Sequence, residues 1–265
     1  MKKFFLLFSL MVVSLAFVSC GSDEEDEPNY ANQTMVAGDT YTIPGKIKDW
    51  ASDNELIASV SNGIVTAERV GETIIRSGSK SFKVSVTGKY NTFKEPYTQW
   101  GASQSAVKSY MTGYTLFKET NEVLYYTGLN KEMGYGYSFT NSALSSSYVI
   151  LQMTSVTSDE MVAYLAERYV YVMTMDEDDY YFGFVTPDKK TIVILQLQSN
   201  SGQLYYFVYY TSASSANAAP AQAMMMMKQH FGSAKQTLGT ETKEEYLRML
   251  NDMPDIQPEF NLINK

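Results

Sequence analysis

Cysteine occurs once in this chain of 265 residues, at Cys20, and histidine once, at His230. A single cysteine excludes an intramolecular disulfide, so the fold must stand on its apolar core. A single histidine leaves Ser-His-Asp chemistry one candidate base. It lies far along the chain, in a tail, where it reads as a bystander. Positive charge is in short supply: 21 Lys and Arg against 29 Asp and Glu give a net charge of −8. Such a chain repels phosphate backbones, which argues against nucleic acid as a partner. No Gly-rich phosphate loop and no zinc-ligand spacing occurs, so no cofactor is expected. Only one apolar run is long, Phe4 to Phe17, and it is too short for a typical spanning helix.

That run follows Lys2 and Lys3 and leads into Val18, Ser19 and Cys20. A positive start and a short apolar stretch make a secretory signal. Gly21, Ser22 and an acidic block, Asp23, Glu24, Glu25, Asp26 and Glu27, come next. Val18-Ser19-Cys20 resembles the lipobox of bacterial lipoproteins, and the acidic block resembles the export signal of Bacteroidota-type surface lipoproteins. The resemblance implies a signal peptide over 1–19, lipidation of Cys20 and an acidic tether over 20–32. It places the protein at the outer membrane, lipid-anchored and exposed at the cell surface, with the membrane as partner through the lipid.

From 33 to 88 the sequence alternates between short β patterns and turns. Leu56 to Val60 is closed by Ser61-Asn62-Gly63, Ile64 to Ala67 resumes, and Phe82 to Val86 alternates strictly. Gly63 and Gly71 are expected where the chain needs positive φ or close approach. Trp50 is expected to plug the space between two sheets. Trp50-Ala51-Ser52, Ile57 to Val60, Gly63 to Ala67, Gly71 to Ile75 and Val84-Ser85-Val86 resemble the group 2 bacterial immunoglobulin-like domain. The resemblance implies an all-β sandwich that acts as spacer or adhesive module and carries no catalytic residue.

Lys89 to Glu95 reads as a polar joint with few contacts crossing it, ending at Pro96. Helices are expected over 103–111, capped by Ser103, and over 158–168, with an apolar face of Met161, Val162, Leu165 and Tyr169. Strands are expected over 114–118, 122–127, 134–139 and 148–153, then over 169–175, 180–185, 191–198 and 203–210. Val149 to Gln152 recurs as Val193 to Gln196, and the helix over 107–114 has a partner over 162–169, which suggests an internal duplication. The expectation for 89–212 is therefore an α+β module, one antiparallel sheet with two helices on one face. Residues 213–265 read as linker and helical tail, with a methionine run over Met224 to Met227.

Candidate chemistry is sparse. Asp176 to Asp179 are consecutive acids without a glycine and read as a solvated hairpin loop, not a calcium site. Paired carboxylates close in space leave no sequence trace, so a surface polysaccharide hydrolase is one alternative. A structural subunit of an outer-membrane complex is another. The leading expectation is a non-catalytic binding or adhesion protein for glycan or protein. Tyr206, Tyr209 and Tyr210, in a strand with aromatics on both faces, are candidate contacts on a sheet face left open by the helices.

Overall fold

The computed structural model describes residues 30–47, 49–176, 181–200 and 203–213. Cys20, the acidic block 23–27, residues 177–179 of the acidic run, Met224 to Met227 and His230 lie outside the described residues.

The described residues build a mostly β, multi-domain fold with three sheets. The first body holds seven strands: β1 (Gln33–Val36), β2 (Thr40–Thr42), β3 (Ala51–Ser52), β4 (Ala58–Ser61), β5 (Ile64–Ala67), β6 (Gly71–Ser77) and β7 (Lys80–Thr87). They form two sheets, ordered β1-β7-β6-β3 and β2-β5-β4. Both sheets contribute to one core that includes Trp50, Ile57, Val65, Ile75, Phe82 and Val84. Alternation along β7 turns Phe82, Val84 and Val86 inward and leaves Lys83 and Ser85 outside the core. Each such burial stabilises by about 1.5–3 kcal/mol relative to exposure. Trp50 is buried and meets Tyr30 and Phe82 edge-on, at 4.8 and 5.6 Å between centroids.

Asn62 and Gly63, both at positive φ (52° and 78°), close the two-residue turn between β4 and β5. Gly71 (φ 152°) lies against Ile57, where a Cβ would come within 2.9 Å of the Ile57 side chain. The sequence pattern does not mark β1 or β3. β1 pairs parallel with β7, and β3 is two residues long, so neither offers enough alternation to register.

The second body consists of α1 (Gln104–Tyr110), β8 (Leu116–Glu119), β9 (Val123–Thr127), β10 (Glu132–Thr140) and β11 (Ala143–Gln152), then α2 (Ser158–Ala166), β12 (Val170–Asp176), β13 (Tyr181–Val185), β14 (Thr191–Asn200) and β15 (Gln203–Ser212). All eight strands join one antiparallel sheet, ordered β12-β13-β14-β15-β11-β10-β9-β8. Each half is a helix followed by a four-strand meander, and the halves meet at their last strands through pairs such as Tyr148–Tyr209 and Val149–Val208. The helical segments 107–114 and 162–169 thus occupy equivalent places. The repeated Val-Ile-Leu-Gln does not, because 149–152 lies in the fourth strand of its half and 193–196 in the third. The shared letters mark strands that are apolar on both faces: Val149, Leu151, Val193 and Leu195 enter the main core, while Ile150 and Ile194 join a separate cluster.

Thr157 caps α2 by accepting from the Glu160 N–H at 3.2 Å. Ser103 stands at the cap position of α1 but bonds Ser105 instead (2.8 Å). β11 begins five residues before its expected start. Its serines have weak strand propensity, but the two-residue turn at Asn141 and Ser142 (φ 50° and 63°) pairs them with β10.

The open tyrosine face is corrected by the structure. Tyr206, Tyr209 and Tyr210 are 0%, 5% and 1% exposed. Tyr206 and Tyr210 fall on the same side of β15 and enter the main core with α2 residues. Tyr209 points the other way and packs with Tyr148 and Ile194. None of the three is available as a contact.

Candidate functional site

The site lies where the two bodies meet, and its geometry begins with the segment between them. Residues 88–100 are not a loose joint; they form a strap whose backbone is held by side chains of the large body. Glu167 accepts from the N–H groups of Lys89 (2.7 Å) and Tyr90 (3.0 Å). Arg168 donates to the Tyr90 carbonyl at 2.8 Å. Three tyrosine hydroxyls donate to successive carbonyls: Tyr164 to Phe93 (3.2 Å), Tyr135 to Lys94 (2.9 Å) and Tyr110 to Glu95 (2.7 Å). Lys94 returns its ammonium to the Tyr110 carbonyl (2.8 Å) and sits 4.0 Å from the centre of that ring.

Two carboxylates in this arrangement are buried, Glu132 at 5% exposure and Glu167 at 8%. A buried carboxylate is tolerated when its oxygens are hydrogen-bonded. Burial alone would raise the Glu132 pKa. Hydrogen bonds from its own backbone, the Tyr135 hydroxyl and the N–H groups of Asn130 and Lys94 outweigh that and hold it below the usual carboxylate value. Burial pushes the Tyr110 phenol up to about 12, and it drives Tyr135, Tyr164, Tyr169 and Tyr210 further above the ordinary tyrosine value. These phenols stay protonated and can donate at any physiological pH.

The sandwich is tied to the same elements. The Val70 N–H donates to the Glu167 carbonyl (2.8 Å), Arg69 Nε to the Tyr169 carbonyl (3.3 Å) and Asn54 Nδ2 to the Pro187 carbonyl (2.9 Å). Leu56 packs with Val170 and Val185. The expected polar joint with few crossing contacts is therefore replaced by a knitted junction. Its donors and acceptors lie about a hundred residues apart in sequence, beyond the reach of any local pattern.

A cleft of about 770 Å³ opens at this junction. Ile57 and Val70–Glu72 of the sandwich form one side. The strap contributes Glu95 and Thr98–Trp100; Arg168 and Tyr169 follow α2; the β13–β14 turn supplies residues 186–191. Trp100 is partly buried against the large core, and its indole N–H donates to Thr191 Oγ1 at 3.0 Å. Tyr169 donates its hydroxyl to the Glu95 carboxylate and shares a second bond with Tyr210 at 3.2 Å. The Arg168 guanidinium lies 3.8 Å from the Tyr164 ring centre, bonds Glu167 and approaches Glu95 at 3.9 Å. Glu95 keeps 42% of its side chain exposed. The turn is shaped by Thr186, whose hydroxyl donates to Asp188 (2.6 Å), and by Lys189 at φ 59°.

The lining contains three carboxylates, Glu72, Glu95 and Asp188, and three cations, Arg168, Lys189 and Lys190. Glu72 is paired with Lys83 and Ser85, each at 2.9 Å, and Asp188 with Thr186 and, at 3.7 Å, Lys190. Among the described residues, no group of three or more His, Cys, Asp or Glu side chains could hold a metal ion. None of Glu95, Trp100, Arg168 and Tyr169 is singled out as a site residue by the sequence. Trp100 carries the one available signal: it is one of two tryptophans and sits in a segment without strand or helix periodicity, between Pro96 and Gly101.

No protein-family model, no curated protein and no solved structure matches the chain.

Proposed function

We propose that this chain is a lipid-anchored binding protein of the bacterial cell surface, without a catalytic step, whose ligand enters the cleft between an immunoglobulin-like spacer and an α+β module. The observation that carries the reading is the cleft itself, within the size range of ligand pockets and lined by an indole, Trp100, and by the half-exposed carboxylate of Glu95 on the hydrogen-bonded strap. The two-sheet core around Trp50 supports the immunoglobulin-like assignment. The two helix-plus-meander halves support an internal duplication of the α+β module. Anchoring rests on Cys20 behind its apolar run, and surface export on Asp23, Glu24, Glu25, Asp26 and Glu27. Binding is preferred to hydrolysis because each carboxylate of the cleft wall is already engaged by a neighbouring cation or hydroxyl.

Cleft occupancy is tested by Thr98→Trp, which fills the cleft from the strap. A mixed panel of immobilised glycans and peptides, probed with the mature protein, should retain at least one binder that Thr98→Trp abolishes. Binding unchanged by that substitution would move the site elsewhere. Anchoring is tested by Cys20→Ala, which should shift the protein from the detergent phase to the aqueous phase and remove it from intact-cell labelling. Unaltered partition would end the lipoprotein reading.

A further inference from the structure

Resting on that reading, we infer that the cleft takes a neutral carbohydrate segment, with a sugar ring on the face of Trp100 and a hydroxyl donated to Glu95. Three features of the lining select this class. First, its charges are equal in number and most are locally compensated: Arg168 by Glu167, Glu72 by Lys83 and, at 3.7 Å, Lys190 by Asp188. A charged ligand would compete with these pairs, whereas an uncharged ligand leaves them intact. The compensation also disfavours phosphate and sulfate groups, which need uncommitted cations.

Second, Glu95 offers an oriented acceptor whose partners, Tyr169 and Arg168, both approach Oε1. Glu95 is half-exposed, and the Tyr169 hydroxyl engages Oε1 and fixes the direction of the carboxylate. Tyr169 is held in turn by Tyr210, and the Glu95 backbone carbonyl by Tyr110. A carboxylate preset in this way accepts a charge-assisted hydrogen bond from a hydroxyl without reorganising. Third, Trp100 supplies an indole to the same lining, and its ring is oriented by the bond to Thr191. A pyranose is apolar on a face and hydroxylated around its rim, which matches a lining that offers both an indole and a carboxylate.

The experiment is an array carrying neutral, uronate-containing, sulfated and amino-sugar glycans together with a peptide set. It is probed with the mature chain and with Trp100→Ala, Trp100→Phe, Glu95→Gln and Gln99→Ala, each checked by thermal melting. Binding to neutral glycans is expected. Glu95→Gln should weaken it about tenfold, the worth of exchanging a charged for a neutral hydrogen bond. Trp100→Ala should weaken it at least as much, while Trp100→Phe, which keeps an aromatic face, should retain part of it. Gln99 is exposed at the cleft, so Gln99→Ala is the variant whose folding is least at risk and should give a smaller loss. Selection of uronate or sulfated glycans would overturn the inference, as would neutral-glycan binding indifferent to Trp100 and Glu95. Peptide binding abolished by Thr98→Trp would also overturn it while leaving the binding reading in place. Failure of every probe would bring down both.

Discussion

In the sandwich of residues 33–87 the buried side chains are Trp50, Phe82 and mostly small aliphatics such as Ala58, Val65, Ile75 and Val84. Among its described residues the eight-stranded body instead buries nine tyrosines and two glutamates. The first core encloses few polar side chains, Thr73 with its bonds to Ser52 and the Asn54 N–H among them, and its own tyrosines, Tyr30 and Tyr41, are only partly buried. The second must satisfy a hydroxyl for nearly every ring it encloses. It does so by turning several of them towards the strap, where Tyr110, Tyr135 and Tyr164 take up successive carbonyls. The difference shows what the tyrosine surplus does here. The phenols do not form an exposed platform; they make a polar seam between a core and the segment that leads to the other body, and the cleft is carried on that seam.

The contrast breaks most sharply in alkali. The folded-state pKa of Tyr135, Tyr137, Tyr164, Tyr169 and Tyr210 is raised by burial, so the native state holds these protons more tightly than the unfolded chain. The associated stability is fully present below about pH 10. It is lost as pH rises further, at about 1.4 kcal/mol per unit for each phenol, until the folded-state values are reached. Urea midpoints measured from pH 8 to 11.5 should fall steeply for the large body. A flat profile would mean that the phenols are not enclosed.

Next in size is Glu167→Ala. It strips the partner from the N–H groups of Lys89 and Tyr90 and from the mostly buried Arg168, and breaking a buried pair in this way costs about 3–5 kcal/mol. If chemical denaturation registers less than 1 kcal/mol, the strap does not hold the junction. A purely apolar deletion in the other body, Ile75→Ala, should cost about 2–5 kcal/mol through transfer and cavity terms and leave the alkaline profile unchanged.

Tyr164→Phe sharpens the comparison at a finer scale. It keeps the ring and removes the bond to the Phe93 carbonyl, for a loss of about 0.5–1.5 kcal/mol by equilibrium unfolding. A gain in stability would show that the hydroxyl is a burden, not a clamp. The smallest effect belongs to Arg76→Ala, which opens an exposed ion pair with Asp53 at 2.9 Å on the sandwich surface. No measurable change in its melting is expected, and a clear loss would give surface charge a part in the sandwich that its core packing does not predict.

The sequence by itself determined whatever depends on neighbours along the chain. Period-two alternation in Phe82, Val84 and Val86, the turn at Asn62-Gly63 and the apolar stripe of Met161, Val162 and Leu165 all follow from local geometry, and the structure places them as the pattern reads. The tertiary structure alone decided three other matters. One was that β11 begins at Ala143, because pairing with β10 overrides the weak propensity of serines. Another was that both faces of β15 are closed: alternation sorts Tyr206 and Tyr210 from Tyr209, but it does not say whether either side meets solvent. The third was the cleft. Glu95, Tyr169 and Tyr210 come together across separations of 74 and 41 residues. Hydrogen bonds over such distances form only after the cores on either side have packed, so no stretch of the chain announces them.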